Sequence, residues 1–455
     1  MAVTKIYLIV LFACLGSVLF GVTVGNFGPA SLKRPFEEAF AKDENENMFK
    51  FFKNCCTTFL TIGAAVASLS AAPVLAGHYG RRLTLCSGAA LSIVGSLLQV
   101  LVVEQRVFVF ARLISGFGGG CVMYALPMFI SEIAPPAIRG ACGSAVQLCF
   151  VIGMVAAAGL NVPEGFSFQW SFALPLFPAC ALVAGMFFVL PMSPRFVLLK
   201  RQNTDGVVKA REALMKLRAN DRDAVEQELA EIQEDISSQS ESLSWTEIVK
   251  DSGTRGRSIR QRLFVGCMLQ VLQQLSGVNA IVTRGADIFK AAGVGNPNLC
   301  NFAVHGTNLV FTLVLLVVID RWGRRFLLLL SGAGMLAAMS AAAFLAWKVE
   351  NTEDEGMKKM WGWMLLAAVC TYMASFAVGW GGVPWLYPSE IFPMDVKEKG
   401  MSMSGGCQWI FNCLIVGALD FQIAQMGTVG TFVSYAACIA ATLAFVDRCV
   451  PETKG

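Results

Sequence analysis

Charge is scarce in this chain. Only 15% of its 455 residues are Asp, Glu, Lys or Arg, against about 25% in a soluble globular protein, so most of its surface does not face water. The net charge of +4 comes without a basic stripe, which argues against a nucleic-acid partner. Histidine is nearly missing, with only His78 and His305, and no C-x-x-C pair occurs, so no metal site with ordinary donor spacing is expected. No nucleophile–base set or paired carboxylate motif lies in the apolar runs, so neither an enzyme nor a cofactor-dependent protein is expected, nor an obligate protein partner. Cysteine is plentiful, but Cys14, Cys86, Cys149, Cys267, Cys370 and Cys438 sit inside apolar runs and read as small hydrophobes. Cys55, Cys56 and Cys300 fall near one membrane face and stay open as exceptions. No cleavable leader is expected, because the first apolar run is long enough to span and lacks a small-residue cleavage pattern.

What the chain does have is apolar length. Hydrophobic residues make up 55%, and mean hydropathy is +0.59. At roughly 20 residues per crossing there is room for about a dozen membrane helices. Twelve apolar segments are predicted, at 6–27, 52–76, 83–103, 106–130, 140–161, 170–191, 263–289, 300–319, 326–347, 361–388, 400–424 and 427–447. They are helices, since they are too long and unalternating for barrel strands. The one long hydrophilic stretch, 192–262, divides the chain into halves at 1–191 and 263–455, and its two amphipathic runs predict short helices outside the membrane. With the N-terminus inside, the inner loops carry 24 Lys and Arg and the outer loops ten, which places both termini and the linker in the cytoplasm. Motifs repeat between the halves. G-R-R occurs at Gly80–Arg82 and Gly323–Arg325, S-E-I-x-P at Ser131–Pro135 and Ser389–Pro393, and P-x-S-P-R at Pro191–Arg195 is echoed by P-E-T-K from Pro451. The offsets of 243, 258 and 260 residues make the halves parallel repeats, the arrangement of the major facilitator fold.

More specific motifs follow the same order of spans: R-L-I-S-G-F-G-G-G from Arg112, P-M-F-I-S-E-I-A-P-P-A-I-R-G from Pro127, P-M-S-P-R-F from Pro191, Q-Q-L-S-G-V-N from Gln273, D-R-W-G-R-R from Asp320, P-W-L-Y-P-S-E-I-F-P from Pro384, and P-E-T-K-G from Pro451. Together they resemble the sugar porter branch of the major facilitator superfamily along essentially the whole chain. The resemblance implies transport of a monosaccharide, most simply glucose or a related hexose, across a lipid bilayer by alternating access, with the plasma membrane as the expected location. A proton-coupled sugar or polyol symporter is the alternative within transport, and a non-transporting sugar sensor the alternative outside it.

A sugar offers hydroxyls that both donate and accept, with apolar faces between them, so its site needs uncharged bidentate groups and a flat apolar wall. Gln273, Gln274 and Asn279 supply three amides in one span, where they are costly unless they face a wet cavity. Gly277 lets the helix loosen between them. The resemblance adds Gln147 and Gln408 as hydroxyl ligands and Trp385 and Trp409 as walls, with Asn308 and Asn412 as further candidates. Gly381, Gly382 and Pro384 predict a broken helix beside Trp385. A charge lock is expected on the linker face, where Glu132 and Glu390 end the fourth spans near Arg81, Arg82, Arg139, Arg195, Arg324 and Arg325. Departures from the family pattern weaken it: Gly77-His78 before the first G-R-R, Met192 for the usual glutamate, and Lys397 where an arginine is common.

Proton-coupled members of this branch carry an aspartate in the first span, paired with an arginine in the fourth. Here Thr23 stands in the aspartate's place while Arg112 remains, and a threonine cannot exchange a proton at physiological pH. Facilitative uniport is therefore expected. At the outer gate, where the family has an aromatic pair, the chain has Thr283-Arg284 followed by Asp287. Their i,i+3 spacing predicts that Arg284 and Asp287 neutralise each other.

Overall fold

The computed structural model describes all residues except 1, 42–44, 136–137, 164, 201–203, 219–220, 239–257, 394–395 and 454–455. Among the described residues every regular element is a helix. Ten helical segments, each long and apolar enough to cross a membrane once, follow in order: Ile6–Ala30, Glu46–Tyr79, Arg81–Leu101, Gln105–Ile133, Cys142–Leu160, Phe168–Phe188, Ile259–Ala291, Pro297–Ile319, Arg324–Glu350 and Glu355–Pro388. These are spans 1 to 10. The last helical stretch, Lys397–Cys449, is 53 residues long, but Gly427 inside it has φ +67° and ψ 178°. On either side of that glycine, Gln422 donates to Ser434 Oγ at 2.7 Å and accepts from Tyr435 at 3.2 Å. Residues that far apart would stand nearly 20 Å apart along a straight helix, so the chain reverses at Gly427 and makes spans 11 and 12. Span 2 starts earlier than its apolar run because an exposed Glu46–Lys50 pair at 2.7 Å adds amphipathic turns ahead of it.

Two expected breaks are present. Gly277 interrupts span 7 with φ +83°, between Ile259–Leu275 and Val278–Ala291, and a Cβ there would strike the Tyr435 ring. Span 10 stops at Val378 and resumes at Val383, leaving Gly379, Gly381 and Gly382 between the pieces. Elsewhere glycine serves packing. A Cβ on Gly116 of span 4 would collide with the Leu60 carbonyl of span 2, so those backbones touch, as small residues permit between membrane helices.

The apolar interior falls into separate bodies. One cluster gathers Leu19, Val122, Leu126 and Phe129 with their neighbours from spans 1 to 6. A second gathers Leu269, Met335, Tyr372 and Val446 with others from spans 7 to 12, and includes buried Met154 of span 5, with partly buried Val24 and Phe150 of the first six spans packed against it. Eight phenylalanines, Phe27, Phe36, Phe40, Phe49, Phe52, Phe108, Phe168 and Phe172, cap the first body on the face away from the linker. The linker forms helices at Pro194–Lys200, Thr204–Leu217 and Arg222–Ser238, which bury Leu198, Leu214 and Leu229 against one another. Arg218 ties them to the membrane body. It bonds Glu228 through two nitrogens at 2.6 and 2.7 Å, and donates to the Ile133 carbonyl closing span 4 at 3.2 Å. All fifteen cysteines are free, including Cys55, Cys56 and Cys300.

Candidate functional site

Spans 7 and 11 bring the amides together. Gln408 Nε2 donates to Gln273 Oε1 at 2.8 Å, while Gln273 donates to the carbonyl of Trp380, freed where span 10 is broken. Asn279 donates to Gln274 Oε1 across the Gly277 break. Gln270, not anticipated as a site residue, donates to the Pro384 carbonyl at 2.8 Å, beside Trp385. It stands three and four residues before Gln273 and Gln274, so a polar stripe at helical spacing was the signal available for it. Gln273, Gln274, Gln408 and Asn412 are all buried. Three acceptors in this region, Gln270 Oε1, Gln408 Oε1 and Asn412 Oδ1, are buried without a partner. A buried unpaired acceptor costs roughly 1–3 kcal/mol, so this cluster has hydrogen-bonding capacity left to spend on a hydroxylated solute.

Trp409, next to Gln408, lies where the two sets of spans meet. Its ring packs edge-on against Phe20 of span 1 at 5.4 Å between centroids, and Ala64 and Phe150 complete the same cluster. Asn308 on span 8 is buried and accepts from Thr312 at 3.4 Å. Gln147 and Trp385 are partly buried on spans 5 and 10, and no described bond ties either side chain to the amide cluster.

Thr23 turns away from any ionic role. It is buried and donates to its own helix at the Leu19 carbonyl, 2.8 Å away. Arg112, 1% exposed, instead reaches the Thr23 carbonyl at 3.0 Å, the Cys56 carbonyl at 3.2 Å and Asn26 Oδ1 at 3.3 Å, and lies over the Phe27 ring. Carbonyl dipoles and an amide thus solvate this guanidinium where a carboxylate would otherwise serve.

At the outer gate the expected pair forms, and a second acid joins it. Arg284 does meet Asp287, at 3.3 Å, but its nearer partner is Asp420 of span 11, which accepts from one guanidinium nitrogen through both oxygens at 2.7 and 2.8 Å. An acid inside an apolar span was the visible signal, and the rule for neighbours on one helix does not see across to another. Thr283 donates to the Asn279 carbonyl at 2.7 Å, and Gly28 of span 1 abuts the Thr283 carbonyl. On this face, away from the linker, the two sets of spans are joined. Asn54 donates to the Gly417 carbonyl at 3.3 Å, Asn298 to Asn161 at 3.0 Å and Asn296 to Val162 at 3.4 Å.

On the linker face Arg81 pairs with Glu132 at 2.8 Å and Arg324 with Glu390 at 2.9 Å, each inside its own six spans. Arg82 donates to the Met186 carbonyl, and Arg325 pairs with Asp447 at 3.0 Å. Arg195 lies in the helix Pro194–Lys200, and the Arg139 side chain lies outside the described residues. Glu452 of the terminal motif caps span 9, accepting from the Arg324 and Arg325 amides at 2.8 and 3.0 Å. Its counterpart in the sequence of the first half is Met192, which has no carboxylate and only a weakly accepting sulfur.

Twelve helical crossings with a buried amide cluster on spans 7, 10 and 11, beside a tryptophan that reaches the first six spans, define a multi-pass membrane transporter. The profile of the family described as "Sugar (and other) transporter" matches residues 9–455, and the chain belongs to that family. Among curated relatives, the "Probable glucose transporter rco-3" of Neurospora crassa is 32% identical, over 98% of this chain and 76% of its own length. "Sugar transporter ERD6-like 6" of Arabidopsis thaliana is also 32% identical, over 98% and 87%. The "Galactose-proton symporter" of Escherichia coli is 28% identical, over 98% and 92%. The proton:xylose symporter XylE bound to 6-bromo-6-deoxy-D-glucose superposes with a TM-score of 0.81 over 100% of this chain and 98% of its own, at 22% identity, which carries the fold.

Proposed function

We propose that this protein carries a neutral hexose, glucose or a close relative, across the plasma membrane as a facilitative uniporter. Residues 1–191 and 263–455 act as two rocking halves, the linker 192–262 joins them, and the linker face with both termini lies in the cytoplasm. The observation that carries the reading is the Gln273–Gln408 bond between spans 7 and 11, surrounded by buried acceptors with no partner. These suit the O–H donors of a sugar, and no ionised group takes part. Gln274, Asn279, Asn308 and Asn412 supply further bonds, Gln147 meets the solute from the first half, and Trp385 and Trp409 face its apolar edges. The pairs Arg81–Glu132 and Arg324–Glu390, with Arg82, Arg139, Arg195 and Arg325 nearby, regroup as the linker face opens and closes. Uniport is supported by the bonding of Arg112 to carbonyl oxygens and by Thr23 in place of an acid.

One observation favours proton symport as the second reading. Asp287 and Asp420 are carboxylates within spans 7 and 11, both paired with Arg284, and a coupling route that does without the first-span aspartate would run through them. Counterflow of labelled D-glucose in proteoliposomes, with and without a pH gradient, decides. Uniport predicts saturable equilibration that a protonophore leaves unchanged. Accumulation that collapses when the protonophore is added overturns it.

A further inference from the structure

His305 is one of two histidines in the chain, is 0% exposed, and has neither ring nitrogen partnered. One turn before it, Asn301 is 1% exposed with Nδ2 unpartnered. Asn308 and Thr312 follow, and spacings of four, three and four residues put all of these buried groups on one face of span 8. That face has a direction. Asn298 donates to Asn161, at the end of span 5, and the Phe302 ring lies against Gly159 of the same span. The Asn301 side-chain oxygen faces Gly285 of span 7. His305 follows one turn after Asn301 and just under a turn after Phe302, so it points to where spans 5, 7 and 8 meet, a seam between the halves. Thr307 and Phe311, on the far side of the helix, line an outward groove shared with spans 9 and 10.

Burying an imidazole and an amide unpaired in a membrane interior is costly, and the cost disappears in a state where the seam parts. We propose that His305 and Asn301 line the entry path from the face opposite the linker, and hydrogen-bond the hydroxyls of an incoming polyol-like solute before it reaches Asn308 and the central amides. The path is closed here by the Asn298–Asn161 and Asn296–Val162 bonds. The inference rests on the alternating-access reading. It names residues for one side of the cycle only.

The test uses full-length protein carrying His78→Gln, which leaves His305 as the sole histidine, reconstituted in liposomes with D-glucose. Diethyl pyrocarbonate labelling, read by peptide mass spectrometry, should modify His305 in the folded protein and block transport, and D-glucose should slow labelling several-fold. His305→Leu should raise the KM for entry from the face opposite the linker by roughly 3- to 10-fold, the size of one neutral hydrogen bond, while the KM from the linker face stays unchanged. His305→Asn should recover part of that loss, and Asn301→Leu gives the same readout should His305→Leu fail to fold. His305 labelled only after denaturation, or KM values shifted equally on both faces, overturns the inference. Failure of the His78→Gln protein to carry D-glucose sinks the transport reading instead.

Discussion

Gln408 is the residue whose loss is easiest to interpret. It donates to Gln273 and keeps one acceptor unspent, so Gln408→Ala removes a bond to the solute and strands its neighbour. Binding of D-glucose in detergent should weaken by about 1–3 kcal/mol, with the melting temperature little changed, and Gln274→Ala should behave alike. Unchanged affinity in both would move the sugar elsewhere. Arg284 gives a second residue-scale expectation. A double-mutant cycle on stability should show coupling of about 0.5–3 kcal/mol between Arg284→Ala and Asp420→Ala. With Asp287→Ala it should show only the few tenths usual for a pair on one helix. The reverse ranking would restore Asp287 as the principal partner. Asp420 was missed because partner choice across 136 residues depends on how spans 7 and 11 pack. The amides of Q-Q-L-S-G-V-N were legible because an uncharged polar cluster in an apolar run is conspicuous by itself.

Single glycines decide the shape of several helices. Gly277 combines a left-handed conformation with contact against Tyr435, so Gly277→Ala should lower stability by more than about 1 kcal/mol and cut transport. Wild-type melting behaviour in that variant would show that the break adjusts freely. The unequal ends of the repeats offer a gain in place of a loss. Glu452 caps span 9, while Met192, 57% exposed, holds the corresponding place in the P-x-S-P-R motif of the first half. Met192→Glu should let a carboxylate reach the Arg81 and Arg82 amides, raising stability by roughly 0.3–1 kcal/mol at a helix N-terminus; an unchanged or lower melting temperature would show that the two ends are not equivalent. At this scale most of the fold was readable, since run length sets the spans and glycine with proline sets the breaks. Span starts moved outward at Glu46 and Glu355, because helical hydrogen bonding continues past the end of an apolar run, while the turn expected between 424 and 427 falls at Gly427.

For the molecule as a whole, repeat spacing and the one long hydrophilic stretch led to the expectation of two parallel halves, whereas which face is closed depends on contacts between spans that no periodicity encodes. Asn54, Asn296 and Asn298 close one face by donating to backbone carbonyls. The linker bears on the other face through Arg218, so Arg218→Ala should quicken proteolysis within 192–262 while the spans stay resistant. Equal protease resistance would mean that the helix packing holds the linker without that arginine.

The break in span 7 also has a mechanical meaning. Val278–Ala291 is a rigid arm of 14 residues, about 21 Å long at 1.5 Å per residue, pivoting on one glycine. A tilt of about 10° at the pivot would carry its tip nearly 4 Å by that geometry, yet shift Asn279, two residues from the pivot, by well under 1 Å. A tilt at this glycine would therefore move the arm's far end several times further than Asn279 at its root.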